Sequence, residues 1–248
     1  MNKSADSETR DSALETTEKL AKYLARCGIA ARRKCEDYIR AGWVRVDGVI
    51  VDTPETRIKA GVQRVEFRGK EVTPQAESLY IMIHKPKGIL VTNQSSRETG
   101  STVFDLIDGV PGRLFSVGRL DRDTTGLLIL TNDGALAQKL AHPSSEKEKE
   151  YLVEFDRPVN AGHLKKLERG VLLDDGVSRF KAVKRTNSQE LEVILTEGRK
   201  RQIRRTFKAI DLPVKELHRQ RIGKLTLGKL KVGEWRKLSK NEVAMLLE

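Results

Sequence analysis

The sequence predicts an α+β protein in which a small N-terminal α/hairpin domain precedes a larger domain built on a mixed, mainly antiparallel sheet. Three observations predict it. Two short amphipathic helical stretches lead into an alternating run around Asp47–Gly48. Beyond residue 78, apolar runs and helical stretches intermix without the strand–helix–strand rhythm of a doubly wound sheet. The chain of 248 residues has room for a domain of ordinary size and a small accessory one. The expected divisions are a disordered leader over 1–17, a small domain over 18–72, a linker over 73–78 and a larger domain over 79–248.

The leader, MNKSADSETRDSALETT, is polar and has no apolar core, so it does not read as a secretory signal. Residues 18–26, EKLAKYLAR, predict a helix with Leu20 and Leu24 on one face and Lys19, Lys22 and Arg26 on another. Gly28 stops it. A second helix over about 31–41 turns Cys35, Tyr38 and Ile39 inward and leaves Arg32, Arg33 and Arg40 to solvent. WVRVDGVIV then alternates Val44 and Val46 against Trp43 and Arg45 around a hairpin-type Asp–Gly turn. TPQAES, Thr73–Ser78, reads as the linker.

From Leu79 the texture changes. LYIMIHKPKGILVT holds two short apolar runs parted by Pro86 and Gly88, as adjacent strands would. TNQSSRETGST is a polar loop, and RLFSVGRL and GLLILT are strands separated by the polar segment Asp121–Gly126. Thr131–Asp133 is placed to cap a helix through about Ala141. KEYLVEF and LEVILTEG alternate as strands, and RKRQIRRTFKAI predicts a strongly basic helix. The segment RIGKLTLGKLKVGEWRKL reads as short strands with glycine turns.

Composition excludes several classes. Hydrophobic residues make up 38% and charged residues 33%, which suits a globular protein with a well-solvated surface. No apolar run approaches the roughly 20 residues of a membrane span. Two cysteines, Cys27 and Cys35, make no disulfide framework and both read as core. Four scattered histidines and no C-x-x-C pair leave no visible metal site, so no metal and no cofactor is expected. The chain reads as cytoplasmic, without a membrane or an obligate protein partner, and as a monomer. Its net charge is +12, and the distribution is uneven. Residues 1–17 carry −2, residues 18–64 carry +5, and residues 197–237 carry +10. Two separated basic regions suit an extended polyanion touched at two places, hence a nucleic acid.

The most informative stretch is GRLDRDTTGLLILTNDG, residues 118–134, which places Asp121 in a tight polar loop held between apolar strands. A reacting carboxylate needs such rigid support with local access to substrate. By spacing alone, an aspartate in such a string is more often a turn former.

This stretch resembles the catalytic motif of pseudouridine synthases, and its GRLD opening resembles the branch that modifies single uridines in ribosomal RNA. HKPKG (84–88), KEYLV (149–153), EGRKRQIRR (197–205) and ELHRQRIGKLTLGKL (216–230) follow in the family's order, so the resemblance runs from Glu18 to Leu246. The N-terminal module resembles the S4-like RNA-binding domain shared by a ribosomal small-subunit protein and tyrosyl-tRNA synthetases. The resemblance implies that a specific uridine of ribosomal RNA, weakly favoured to be in the large subunit, is isomerised to pseudouridine. The implied partner is ribosomal RNA or an assembling subunit.

It also implies roles. Asp121 matches the catalytic aspartate, Tyr151 the tyrosine that lies against the target base, and Arg204 the basic residue that pairs with the aspartate. Arg119 matches an arginine that helps fill the space left by a flipped base, and Leu195 an apolar position lining the uracil pocket. Arg199, Arg201 and Arg205, with Lys200, fit plain phosphate contacts. Thr206 stands where relatives usually carry methionine. In the N-terminal module Lys22, Arg32, Arg33, Arg40 and Arg45 are the candidate phosphate ligands, and Trp43 reads as packed beside the hairpin. One alternative is a non-catalytic RNA-binding ribosome-assembly factor, which the presence of Asp121, Tyr151 and Arg204 disfavours. A glycosidic hydrolase is a second, but Asp123 and Asp133 have no motif support as a partner carboxylate.

Overall fold

The computed structural model describes residues 17–75, 77–92, 100–141 and 145–248. The expected leader, apart from Thr17, lies outside the described residues, as does most of the polar loop after Thr92. The chain divides into two compact units, Met1–Ala76 and Glu77–Glu248.

The first unit runs β1 (Thr17–Lys19), α1 (Leu20–Arg26), α2 (Arg32–Arg40), β2 (Val44–Val46), β3 (Val49–Val51), β4 (Arg57–Lys59), β5 (Val65–Phe67) and β6 (Lys70–Glu71). Helix α1 begins at Leu20 rather than Glu18, because residues 17–19 are extended and pair with β4. Strands β3-β2-β5-β6 form an antiparallel sheet. Its hairpin turns on Asp47 and Gly48, both at positive φ, as a two-residue turn matched to strand twist requires. Gln63 and the Arg64 amide donate to the Asp47 carboxylate and hold it below the usual range. Leu20, Leu24, Cys35, Ile39, Val44, Ile58 and Val65 make the core. Tyr38 stays half-buried and stacks on Trp43 with centroids 5.0 Å apart.

The second unit runs β7 (Tyr80–Lys85), a 3-10 turn (Val103–Leu106), β8 (Phe115–Val117), β9 (Thr125–Thr131), α3 (Gly134–Ala141), β10 (Lys149–Phe155) and α4 (Ala161–Arg169). It continues with β11 (Val171–Leu173), β12 (Gly176–Ser178), β13 (Ala182–Asn187), β14 (Glu190–Leu195) and α5 (Gln202–Ala209). It closes with β15 (Val214–Ile222), β16 (Leu225–Thr226), β17 (Trp235–Lys237) and α6 (Lys240–Leu247). One sheet follows the order β13-β14-β10-β15-β9-β7-β17, with β8 on β9 and β16 on β15. Every pairing in it is antiparallel except β9 with β15. The fold is therefore α+β with a mixed, mainly antiparallel sheet. Among the described residues no helix is long and apolar enough to cross a membrane.

Strand β9 reads as an unbroken apolar run because both of its faces are covered. Leu128 and Leu130 join one core with Ile81, Ile83, Val153 and Phe207, while Leu127 and Ile129 join another with Met82, Leu136, Leu140 and Ile222. Helix α3 starts where expected, with Asp133 Oδ1 accepting from the Ala135 and Leu136 amides. The second apolar run after Gly88 makes only an isolated bridge, Leu90 to Thr102, and is no strand. Helix α5 begins at Gln202, because Arg201 takes a left-handed conformation at φ 50°. Sequence reading passed over α4, the β11–β12 hairpin, β13 and α6. Helix α4 is short, with Leu167 buried and Leu164 partly buried on one face, and β13 is an exposed edge strand without an apolar period.

The parallel pairing places Gly126 against Arg219. A Cβ on Gly126 would lie 2.3 Å from the Arg219 carbonyl oxygen and 2.6 Å from its nitrogen, at a φ of +109°. Gly126→Ala is expected to cost more than about 3 kcal/mol, since neither backbone can retreat without parting the strands. Gly48→Ala, whose Cβ would meet nothing within 4 Å, should cost only about 1–2 kcal/mol of left-handed strain. Urea unfolding of the two variants measures the contrast, and equal losses would refute the close-approach argument.

Candidate active site

The segment from Gly118 to Thr124 joins β8 to β9, and its turn is closed by the Thr124 amide on the Asp121 carbonyl. Each carbonyl of that turn has a donor. Lys85 Nζ donates to Arg122 O at 3.1 Å and to Thr124 O at 2.9 Å. The Gly88 amide also reaches Arg122 O, and Arg204 Nη2 donates to Asp123 O at 2.9 Å. Arg122 Nε returns a bond to Gly88 O. The backbone beneath Asp121 is thus fixed from three directions, while its side chain stays 31% exposed.

Lys85 is completely buried at the end of β7, and its third bond goes to Pro86 O. Burial pushes its ammonium down to about 8, and the charges of Asp123 and Asp121 act the other way. HKPKG entered the sequence reading only as a motif, with no role for its lysine. A usable signal was present: a lysine closing a strand whose preceding residues are all apolar or aromatic has nowhere exposed to go.

Asp121 borders an open cavity of about 530 Å³, a size typical of small-ligand sites. Arg119, Tyr151, Leu195, Arg199, Lys200, Arg201, Arg204 and Leu217 border it too, so the structure brings together Asp121, Tyr151, Arg204, Arg119 and Leu195. Tyr151 stands buried on β10, and Arg219 Nη1 lies 3.4 Å from its hydroxyl oxygen. Arg219 is almost wholly buried and donates through Nε to Leu127 O. This residue was also passed over, although its alternation with Leu217 on β15 marks it as inward-facing.

Arg201 pairs with Asp121, its Nη1 lying 3.9 Å from Oδ2, and Arg204 borders the same cavity near enough to feel the Asp121 charge. Arg204 donates through its terminal nitrogens to the Asp123 and Val214 carbonyls, because α5 begins after Arg201 and sets Arg204 over the turn. Burial and the neighbouring Arg201 push the Arg204 guanidinium below its usual range, against Asp123 and Asp121. Arg199 and Arg205, for which phosphate contacts are expected, are engaged here by the tip of the β11–β12 hairpin. Arg199 donates to the Asp175 side chain and to the Asp175, Gly176 and Val177 carbonyls. Arg205 pairs with Asp174 and Asp175, and Asp175 is held below the usual carboxylate range mainly by that bond. Thr206 is buried and donates to Ser178 Oγ or Gln202 O, so its hydroxyl has a use that methionine lacks.

In the first unit Lys22, Arg32, Arg33, Arg40 and Arg45 are all exposed. Arg32 lies 3.9 Å from Glu36 and Arg40 3.5 Å from Asp37, while Arg45 donates to Gly48 O. Trp43 has the Arg68 guanidinium 3.8 Å from its ring centroid as well as Tyr38 stacked on it. Among the described residues no cluster of three metal-ligating side chains occurs.

Residues 79–209 match the family described as RNA pseudouridylate synthase, and residues 18–63 match the S4 domain. An uncharacterized RNA pseudouridine synthase of Aquifex aeolicus is 40% identical over 230 residues, 92% of this chain and 95% of its own. The ribosomal large subunit pseudouridine synthase B of Bacillus subtilis is 35% identical over 235 residues, 92% of this chain and 95% of its own. A crystal structure of a pseudouridylate synthase superposes with a TM-score of 0.66 at 31% identity, covering 92% of this chain and 99% of the other.

The Lys85 ammonium makes a signed prediction. The unfolded amine titrates near 10.5 and the folded one near 8, so between these values the unfolded chain binds more protons. Stability contributed at Lys85 is therefore reduced below pH 8 and rises as pH passes from 8 towards 10.5. Lys85→Met lacks this titration, so the stability of wild type relative to the variant should grow by up to about 1.4 kcal/mol per pH unit in that window. Chemical unfolding of both proteins from pH 7 to 10 checks it, and a constant difference would refute it.

Proposed function

The chain belongs to the RNA pseudouridylate synthase family, and on that premise we propose that it isomerises one uridine of large-subunit ribosomal RNA to pseudouridine with Asp121 as the catalytic carboxylate. The observation that carries the reading is the cavity itself, which Asp121, on a turn held through its backbone carbonyls, shares with aromatic Tyr151 and aliphatic Leu195 and Leu217. The reaction breaks the bond between uracil N1 and the sugar C1′, turns the base, and joins C1′ to C5. The C5 proton is lost and N1 gains one, so no atom or electron enters or leaves overall.

Asp121 serves the bond-breaking step as the group placed to attack the sugar or the ring. Tyr151 and Leu195 suit the flat faces of a detached uracil, which has to leave its stack before its edges are accessible. Arg201 offsets the charge of Asp121, and Arg204 and Lys85 keep the turn from yielding as the base rotates. Arg119 is exposed at the cavity rim, where a cation reaches either the vacated stack or a phosphate.

The S4 domain supplies the second basic surface, with Lys22, Arg32, Arg33, Arg40 and Arg45 as phosphate ligands. Ribosomal RNA as substrate follows from that domain together with the ribosomal relatives of Bacillus subtilis and Vibrio vulnificus.

Asp121→Asn keeps the side-chain shape and removes the carboxylate. Pseudouridine formation on ribosomal RNA should fall by at least about a thousandfold, with melting temperature and RNA affinity little changed. Sequencing of modified RNA after incubation with each protein decides, and near-normal turnover by the variant would exclude this mechanism. A non-catalytic binding protein would instead show no product from wild type. Replacing Lys22 and Arg33 together by alanine should flatten the plot of log affinity against log salt by up to about two, at roughly 0.7–0.9 per lost phosphate contact. An unchanged slope would remove these two residues from the RNA surface.

A further inference from the structure

The hairpin tip Asp174–Asp175 has no part in the reading above, yet Arg199, which borders the cavity, and Arg205 of the adjoining helix are bound to it. We propose that Asp174 and Asp175 are positioning residues for the Asp121 site, holding residues 197–201 and the start of α5 through Arg199 and Arg205. The inference rests on the proposed reaction for its activity readout alone; the clamp itself is a statement about the folded chain.

The argument starts from an electrostatic conflict. Arg199, Lys200, Arg201, Arg204 and Arg205 crowd into seven residues at the N-terminal end of α5. That end of a helix is the positive pole of its dipole, and the first turn of α5 contains no acidic residue. Cations there destabilise the turn and repel one another. Arg201 adds a left-handed φ of 50°, a strain that persists only when its surroundings enforce it.

The hairpin provides that enforcement from outside the helix. Arg199 makes bonds of 2.9–3.2 Å to one carboxylate and three backbone carbonyls of the tip, which fixes the residue two places before Arg201. Arg205, one turn after Arg201, is held on its far side by both carboxylates. Gln202 ties the same segment to Ser178 of β12 and to Glu197, and accepts the Arg199 amide. Between these anchors sit the two residues that meet the aspartate turn, Arg201 at Asp121 and Arg204 at the Asp123 carbonyl. A planar guanidinium that holds several acceptors at once transmits position better than a single charge contact.

The test uses the full chain with Asp174→Asn and Asp175→Asn combined. Single-turnover rate at saturating enzyme should drop at least tenfold, while the dissociation constant for ribosomal RNA stays within threefold. Amide hydrogen exchange should accelerate across 198–205 and stay unchanged in β7, β9 and β10. Asp175→Glu should recover most of the rate. Unchanged rate and exchange in the double variant would overturn the proposal. So would markedly tighter RNA binding with a steeper salt slope at an unchanged rate, which would make the carboxylates competitors of phosphate. Should the double variant lose protection throughout the sheet, Asp174→Asn alone replaces it, because that carboxylate is 82% exposed and its loss is tolerable to the fold. A threefold loss of rate is then expected, and no loss overturns the proposal. A wild-type protein without activity would refute the proposed reaction, and the exchange measurement would still decide the clamp.

Discussion

The close approach of Gly126 to the Arg219 backbone is the constraint on which the catalytic unit depends. Two antiparallel groups of strands, β17-β7-β9-β8 and β13-β14-β10-β15-β16, are joined within the sheet by the parallel pairing of β9 with β15. A side chain at residue 126 would hold the strands apart. Because the pairing register is fixed there, the turn ahead of β9 is carried to the same region as Tyr151, whose strand is paired with β15 on its other side. Arg219 reinforces the junction by donating to Leu127 across it and approaching the Tyr151 hydroxyl. One glycine thus sets the spacing between the carboxylate of one half and the aromatic wall of the other.

Given that junction, the turn still has to be kept rigid, and Lys85 does so at an electrostatic cost. A fully buried ammonium is unfavourable in itself, which is why its proton is held less tightly than usual. Three carbonyl acceptors compensate part of that cost, and the nearby Asp121 and Asp123 compensate more. A neutral donor would bind the same carbonyls without the attraction to the two carboxylates. The positive charge therefore holds the turn through both its backbone and its side chains, which suits a loop that must not move with its substrate.

Much of this was legible in the residues. The Asp47–Gly48 hairpin, the double-faced burial of β9 and the Asp133 cap each follow from local chemistry, because turn type, apolar run and capping side chain are short-range signals. The elements passed over divide by the signal they carry. Helices α4 and α6 open on the capping side chains Asn160 and Ser239, which the apolar pattern alone does not weigh, whereas β13 is solvated on most of its length and is made by tertiary pairing. At the site, the aspartate, the tyrosine and Leu195 were visible through a motif. Lys85 and Arg219 lie within quoted motifs too, but no role attaches to them there, because a charged residue in a strand is read as an exposed one unless its neighbours on both faces are counted.

The assignment of individual arginines illustrates the limit most clearly. EGRKRQIRR presents four arginines that composition makes equivalent, and a regular helix through 199–205 would distribute them by angle alone. The left-handed Arg201 breaks that regularity and shifts every later residue about the helix axis. Arg201 consequently faces the carboxylate, Arg204 turns onto the backbone of the aspartate turn, and Arg199 and Arg205 go to the hairpin. No single-residue property separates these roles. What separates them is the acidic tip at residues 174–175, more than twenty residues earlier in the chain, so the basic segment can be interpreted only together with the carboxylates that neutralise part of it.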